Sequence, residues 1–180
     1  MFFIPGLGLV ISVLTFPGVI VHEFAHQLFC RLYGIAIFEV KYFQVGNPLG
    51  YVIHEIPRNP AQQLMISIGP FFVNTLLGLI IAFPAAIPVL QFNAGTPFDY
   101  ILLYLGISIA MHAFPSLGDA QSMWYTLWHD ENSTWWLKAL SVPVAGLIML
   151  GTIGSIFWLD LGYGILICTI LPKYIISLFA

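Results

Sequence analysis

Charge is what this chain has least of. Of its 180 residues only five are Lys or Arg and eight are Asp or Glu, 7% in all, where soluble domains carry roughly 25%. Five basic side chains cannot assemble a phosphate-binding surface, so a nucleic-acid partner is excluded. Cysteine is also scarce. Cys30 and Cys168 both lie in apolar stretches, which argues against a disulfide framework and leaves them as buried small residues. The sequence has no internal repeat and no low-complexity linker. No charged segment leads into the first apolar run, as it would in a cleaved secretion signal, so that run is expected to be a retained transmembrane helix.

What the chain has instead is apolar surface: 59% hydrophobic residues, 16% aromatic residues and a mean hydropathy of +0.94. This is the composition of an integral membrane protein, with the lipid bilayer as its surroundings and Trp and Tyr suited to the interfaces. Residues 1–180 read as one membrane domain, mainly α. The expected architecture is a polytopic helix bundle of about five spans with a short β-hairpin between the first and second helices.

The first span is expected from Gly6 to about Tyr33. Some 28 helical residues would cover about 42 Å, enough for a tilted crossing, with a kink at Pro17. Residues 35–60 change character. Phe38-Glu39-Val40-Lys41-Tyr42 and Tyr51-Val52-Ile53-His54-Glu55-Ile56 are β-type runs around the turn Gly46-Asn47-Pro48-Leu49-Gly50, which predicts an interfacial hairpin. It could enter the membrane only where it packs on protein or lines a cavity.

Ala61–Leu90 is the second span, with breaks expected at Gly69-Pro70 and from Pro84 to Pro88. Phe98 to about Trp128 is the third, interrupted at Pro115-Ser116-Leu117-Gly118-Asp119. After the polar connection from His129 to Ser133, residues 137–180 supply two additional C-terminal spans, Leu137–Trp158 and Leu161–Leu178, divided by Asp160. Arg31, Lys41, Arg58 and Lys138 fall on one side of this arrangement, which places the N-terminus outside and the hairpin in the cytoplasm.

Within the first span lies His22-Glu23-Phe24-Ala25-His26. On a helix, histidines at i and i+4 share one face about 6 Å apart along the axis, suited to ligating a single zinc ion with Glu23 as general base. Three ionisable side chains within five residues of an apolar span are costly there unless they serve such a function. A catalytic zinc site needs a third protein ligand. Of the later acidic residues only Asp119 falls well inside a span, so it is the expected ligand; capping the second half of a broken helix is its other ordinary role. Counted along their helices from the outer face, His22 and Asp119 lie at roughly 24 Å and roughly 32 Å, both beyond the midplane on the cytoplasmic side.

Other polar residues carry open alternatives. His112, seven residues before Asp119, could be another ligand, a second-shell donor or an interior histidine. Asn74 could donate to an oxyanion or hold a substrate carbonyl, or simply bond between helices. Cys30 shares the histidine stripe but sits about 12 Å along the axis from His22, so packing is its expected role. His54 and Glu55 read as an exposed polar pair.

At these residues the chain resembles the site-2 protease family of intramembrane zinc metalloproteases. The resemblance rests on His22-Glu23-Phe24-Ala25-His26, the β-type Gly50-Tyr51-Val52, the Gly69-Pro70 and Asn74 pattern, and a later Asp in a helix break. It covers roughly residues 15–125. In that family Asp is usually followed by Gly, whereas here Leu117-Gly118-Asp119-Ala120 places Gly first. The resemblance implies that the β-segment presents an extended substrate strand and that Asn74 lies near the cleavage site. It also implies cleavage of membrane protein substrates, in or beside their spans. The competing class is a metal-binding transporter or a non-catalytic protein that binds membrane helices; the Glu between the two His residues speaks against it.

Overall fold

The computed structural model describes residues 7–131 and 133–178. Gly6, expected to open the first helix, and Asn132 of the polar connection lie outside the described residues. The architecture is mainly α, with a two-stranded antiparallel hairpin after the first helical stretch.

That first stretch is two helices, α1 (Leu7–Leu14) and α2 (Phe16–Leu32), parted at Thr15. Pro17 has no N–H to donate to the Val13 carbonyl, and its ring crowds that turn. The break therefore falls two residues ahead of the proline. Thr15 spans it by donating its hydroxyl to the Ile11 carbonyl at 2.8 Å. Beyond the break α2 is regular, which keeps His22 and His26 on one face.

The hairpin follows. In β1 (Ile37–Lys41) and β2 (Tyr51–His54), Lys41 pairs with Tyr51, Val40 with Val52 and Glu39 with Ile53; the register shifts between Ile37 and Glu39, a bulge at Phe38. Rather than lying at the end of the bundle, the hairpin folds back along α2. The Tyr42 hydroxyl donates to Gln27, and the Phe43 ring lies 5.8 Å from that of Phe16, at the start of α2. Gly50 is pressed against the helix midway: a Cβ there would sit 2.6 Å from Glu23 Cγ and 2.9 Å from the Lys41 carbonyl oxygen. The Lys41 main chain thus runs alongside the middle of α2.

α3 (Pro60–Leu90) opens with Asn59 accepting from the Ala61 amide at 3.0 Å and runs unbroken through Pro70, Pro84 and Pro88. The breaks expected at Gly69-Pro70 and Pro84–Pro88 do not occur. Each proline removes one helical hydrogen bond, and neighbouring elements in a bundle can re-satisfy the carbonyl it frees. α4 (Pro97–Met111) packs on α3 through small residues. Cβ atoms added at Gly78 and Gly106 would lie 2.8 and 2.7 Å from each other's carbonyl oxygens, and Ala82, Ala85, Ala86 and Ala110 continue the seam. Close backbone approach through small side chains is how helices associate where lipid offers no hydrophobic drive.

The interruption expected around Pro115 is present: α4 ends at Met111, and α5 (Leu117–His129) starts after Ser116. α6 (Trp135–Gly154) leads through a tight turn, Ser155–Phe157, to Trp158 in the left-handed region at φ 62°. The last helical rod joins α7 (Leu159–Ile165) and α8 (Leu171–Ser177) through a wider turn over Leu166–Ile170.

Among the described residues, three helical stretches are long and apolar enough to cross a membrane: Pro60–Leu90, Trp135–Phe157 and Leu159–Ser177. Pro97–Met111 is a shorter apolar helix. The polarity of the interior agrees with a membrane protein. Asn74 and Ser141 are wholly buried, whereas Trp135 is 79% and Phe157 74% exposed, the distribution expected when the surroundings are hydrocarbon. The α3–α4 seam makes a direct prediction. Gly106→Val should lower stability by about 1–3 kcal/mol through overpacking. Thermal unfolding of the detergent-solubilised protein checks this, and an unchanged midpoint would contradict the seam.

Candidate metal centre

On α2, His22, Glu23 and His26 are all buried, and each imidazole is fixed by a carbonyl from another part of the bundle. His22 Nδ1 lies 2.7 Å from the carbonyl oxygen of His112. His26 Nδ1 lies 2.9 Å from that of Ile66 on α3. A carbonyl can only accept, so both Nδ1 atoms carry a proton, and each ring in its neutral form presents the bare lone pair of Nε2. Those two Nε2 atoms face each other at 3.2 Å.

Asp119 completes the group. Its Oδ1 is 3.3 Å from His26 Nε2, and its Oδ2 is 4.0 Å from His22 Nε2. The carboxylate performs both of its possible roles at once. Ser116 donates its amide and its hydroxyl to Oδ2, each at 2.7 Å, while the Asp119 amide donates back to Ser116 Oγ at 3.2 Å. This reciprocal cap satisfies one oxygen and leaves Oδ1 turned to the histidines. The N-terminal position in α5 also favours negative charge. Gly118 lies within the first turn of α5, and a Cβ there would meet only Ser116 Oγ at 3.4 Å, an ordinary contact. The Gly-Asp order therefore leaves the carboxylate free to reach the site. The break that delivers Asp119 spans His112–Ser116 and does not need this glycine.

These donors fit zinc. His22, His26 and Asp119 each offer a ligand atom within 4.8 Å of the others, and they are the one such group of three among the described residues. Metal–ligand bonds of 2.0–2.1 Å in a tetrahedron set donors about 3.3 Å apart, against the observed 3.2 and 3.3 Å. Two lone pairs and a carboxylate oxygen converging away from bulk water repel one another unless a cation lies between them. A zinc ion is the cofactor this set would hold.

The supports come largely from α3. Ser67 donates its hydroxyl to the Asp119 carbonyl at 3.2 Å and accepts from Gln63 Nε2 at 3.3 Å. Asn74 turns its amide nitrogen to the carbonyls of Gly18 and Ile109 at 3.1 Å and His112 at 3.2 Å. It thereby steadies the carbonyl that orients His22. Asn74 is completely buried and outside the cleft lining, and its Oδ1 lacks a partner among the described residues. In this geometry it is an interhelical tie, not a group facing substrate. An amide's type and depth do not reveal which way tertiary packing turns it.

His112 likewise serves through its main chain: its own Nδ1 donates to the Ser108 carbonyl at 2.9 Å, and its backbone oxygen receives His22. Cys30 is buried and free, outside the ligand group. Ser67, Gln63 and Ser116 were not singled out by the sequence reading. Only Ser116 left a signal, the Ser-x-x-Asp spacing of a capping box.

The donors open onto a cleft of about 730 Å³ that Glu23 also lines, together with Gly50 and Tyr51 of the hairpin and Ser155 and Asp160 after α6. His54 also borders this cleft, with its Nδ1 2.8 Å from the Glu55 carbonyl oxygen.

Two mutations separate the roles. Asp119→Ala should reduce zinc affinity by more than the roughly 10–100-fold typical of losing an outer support. Asn74→Ala should fall within that roughly 10–100-fold range, because it loosens the His112 carbonyl behind His22. Zinc titration against a competing chelator measures both. Full zinc affinity in Asn74→Ala would contradict the supporting role.

A family model described as "Putative zincin peptidase" matches residues 15–135, from the last residue before α2 to the start of α6. Neither a curated protein nor a solved structure matches the chain.

Proposed function

Because the chain belongs to that zincin peptidase family, a family of zinc metallopeptidases, we propose that it is an intramembrane peptidase of the site-2 protease kind. It hydrolyses peptide bonds in membrane-embedded or juxtamembrane segments of other membrane proteins. The observation that carries this reading is the convergence of His22, His26 and Asp119 beside Glu23 on one cleft, within a bundle whose outer surface is apolar.

In this mechanism His22, His26 and Asp119 hold the metal. Zinc bound there would supply Lewis acidity, polarising a carbonyl oxygen and lowering the pKa of water toward about 7. Glu23 takes a proton from the attacking water and passes it to the leaving amide nitrogen. The Ile66 and His112 carbonyls keep both imidazoles in the tautomer that leaves Nε2 bare. A substrate helix has its carbonyls already paired, so it must unwind locally before one of them can react. The hairpin, lying against Glu23 through Gly50, offers strand edges to the unwound stretch.

The proposed setting is a multi-pass bundle in the cell membrane, with the N-terminus outside and the metal site nearer the cytoplasmic end. Residues 1–180 form one domain in this reading, and 137–180 supply its last spans and part of the cleft wall.

Glu23→Gln is the decisive variant. It should keep about one zinc per chain while slowing cleavage of a reconstituted membrane substrate by about 100- to 10,000-fold, the span expected for losing a general base. Metal analysis and a gel-based cleavage assay on the same sample read both quantities. Undiminished cleavage would rule out Glu23 as the base. A metal transporter would be insensitive to the change.

A further inference from the structure

α3 contains three prolines, Pro70, Pro84 and Pro88, and continues through all of them. Each lacks the N–H that would bond the carbonyl four residues earlier, which leaves Ile66, Ile80 and Pro84 each without that donor. The Ile66 carbonyl is the one that receives a metal-site ligand: His26 Nδ1 lies 2.9 Å away, in a buried contact. Among the described residues no side chain donates to the Ile80 or Pro84 carbonyls.

The neighbouring residue makes this contact reachable. A Cβ at Gly69 would fall 2.3 Å from Phe29 Cδ2, so only glycine lets α2 and α3 approach closely at the turn where His26 meets Ile66. Glycine brings the helices together, and proline leaves a carbonyl without its usual helical donor at the point of approach.

We infer that Pro70 is a positioning residue for the metal site: by withholding its helical N–H it reserves the Ile66 carbonyl for His26, which fixes that ring's tautomer and aims Nε2 at the metal. Proline in a helix interior is otherwise unfavourable, and alanine is the best helix former. Pro70→Ala therefore sets helix formation against ligand orientation. The alanine amide would claim the Ile66 carbonyl, His26 would have to share it, and the ring would lose its fixed direction. The inference rests on His26 being a zinc ligand, as the proposed function has it.

The test uses the full chain in detergent, with Zn²⁺ and Co²⁺ as the probes. Pro70→Ala should bind Zn²⁺ at least about tenfold more weakly, the low end for outer-shell substitutions. Its thermal midpoint without metal should equal or exceed the wild-type value. Its Co²⁺ complex should show altered ligand-field bands. Pro84→Ala and Pro88→Ala, on the same helix but away from the cleft, should match wild type in affinity and spectrum. Zn²⁺ affinity within twofold of wild type in Pro70→Ala, or the same affinity loss in all three variants, would overturn the inference. Failure of Pro70→Ala to fold while Pro84→Ala folds would also overturn it, by assigning Pro70 to packing. If the wild-type chain binds neither ion, the proposed function itself fails, which is a different result.

Discussion

Two imidazole nitrogens 3.2 Å apart and a carboxylate 3.3 Å from one and 4.0 Å from the other, in a bundle with an apolar exterior, form an arrangement that a bound cation makes favourable. The rest of the structure follows from holding them there. α2 supplies both histidines because residues four apart on a helix share a face. The two Nδ1 protons must then be taken up elsewhere, and the bundle offers one carbonyl from α3 and one from the end of α4. The carboxylate arrives from a third direction, on the first turn of α5, where the helix start favours its charge and Ser116 occupies its second oxygen.

Interruptions in regular helix perform much of this placement. Where α4 stops, the His112 carbonyl becomes available to His22 and to Asn74 together. The restart at Ser116 turns Asp119 back toward α2. In a hydrocarbon setting an unpaired carbonyl costs several kcal/mol, so giving a freed carbonyl another donor is favourable. At this site the donors are ligand imidazoles and a buried amide. The cost of irregular backbone and the need to orient ligands are met by the same hydrogen bonds.

How much of this could be read beforehand depended on whether a feature is local. The histidine pair was legible because its geometry is set by one helix. Asp119 was legible because a carboxylate at depth has few affordable roles, although its dual use as cap and candidate ligand needed coordinates. The continuity of α3 was not legible: proline argues for a break, and only the neighbours show which carbonyls are re-satisfied. For Asn74 the sequence left two roles open, since nothing local distinguishes an amide facing a cleft from one tying three carbonyls. The family match, residues 15–135, takes in every ligand and support described here and leaves the last helices, which add Ser155 and Asp160 to the cleft, outside it.

The central claim is that one zinc ion is held by His22, His26 and Asp119. X-ray absorption at the zinc edge, on purified protein with stoichiometric metal, tests it most directly. The expected first shell has two imidazole nitrogens at about 2.0–2.1 Å and oxygen at about 2.0–2.2 Å, and it should drop to one imidazole in His26→Ala. A sulfur neighbour at about 2.3 Å, or a shell unchanged by that substitution, would contradict the assignment.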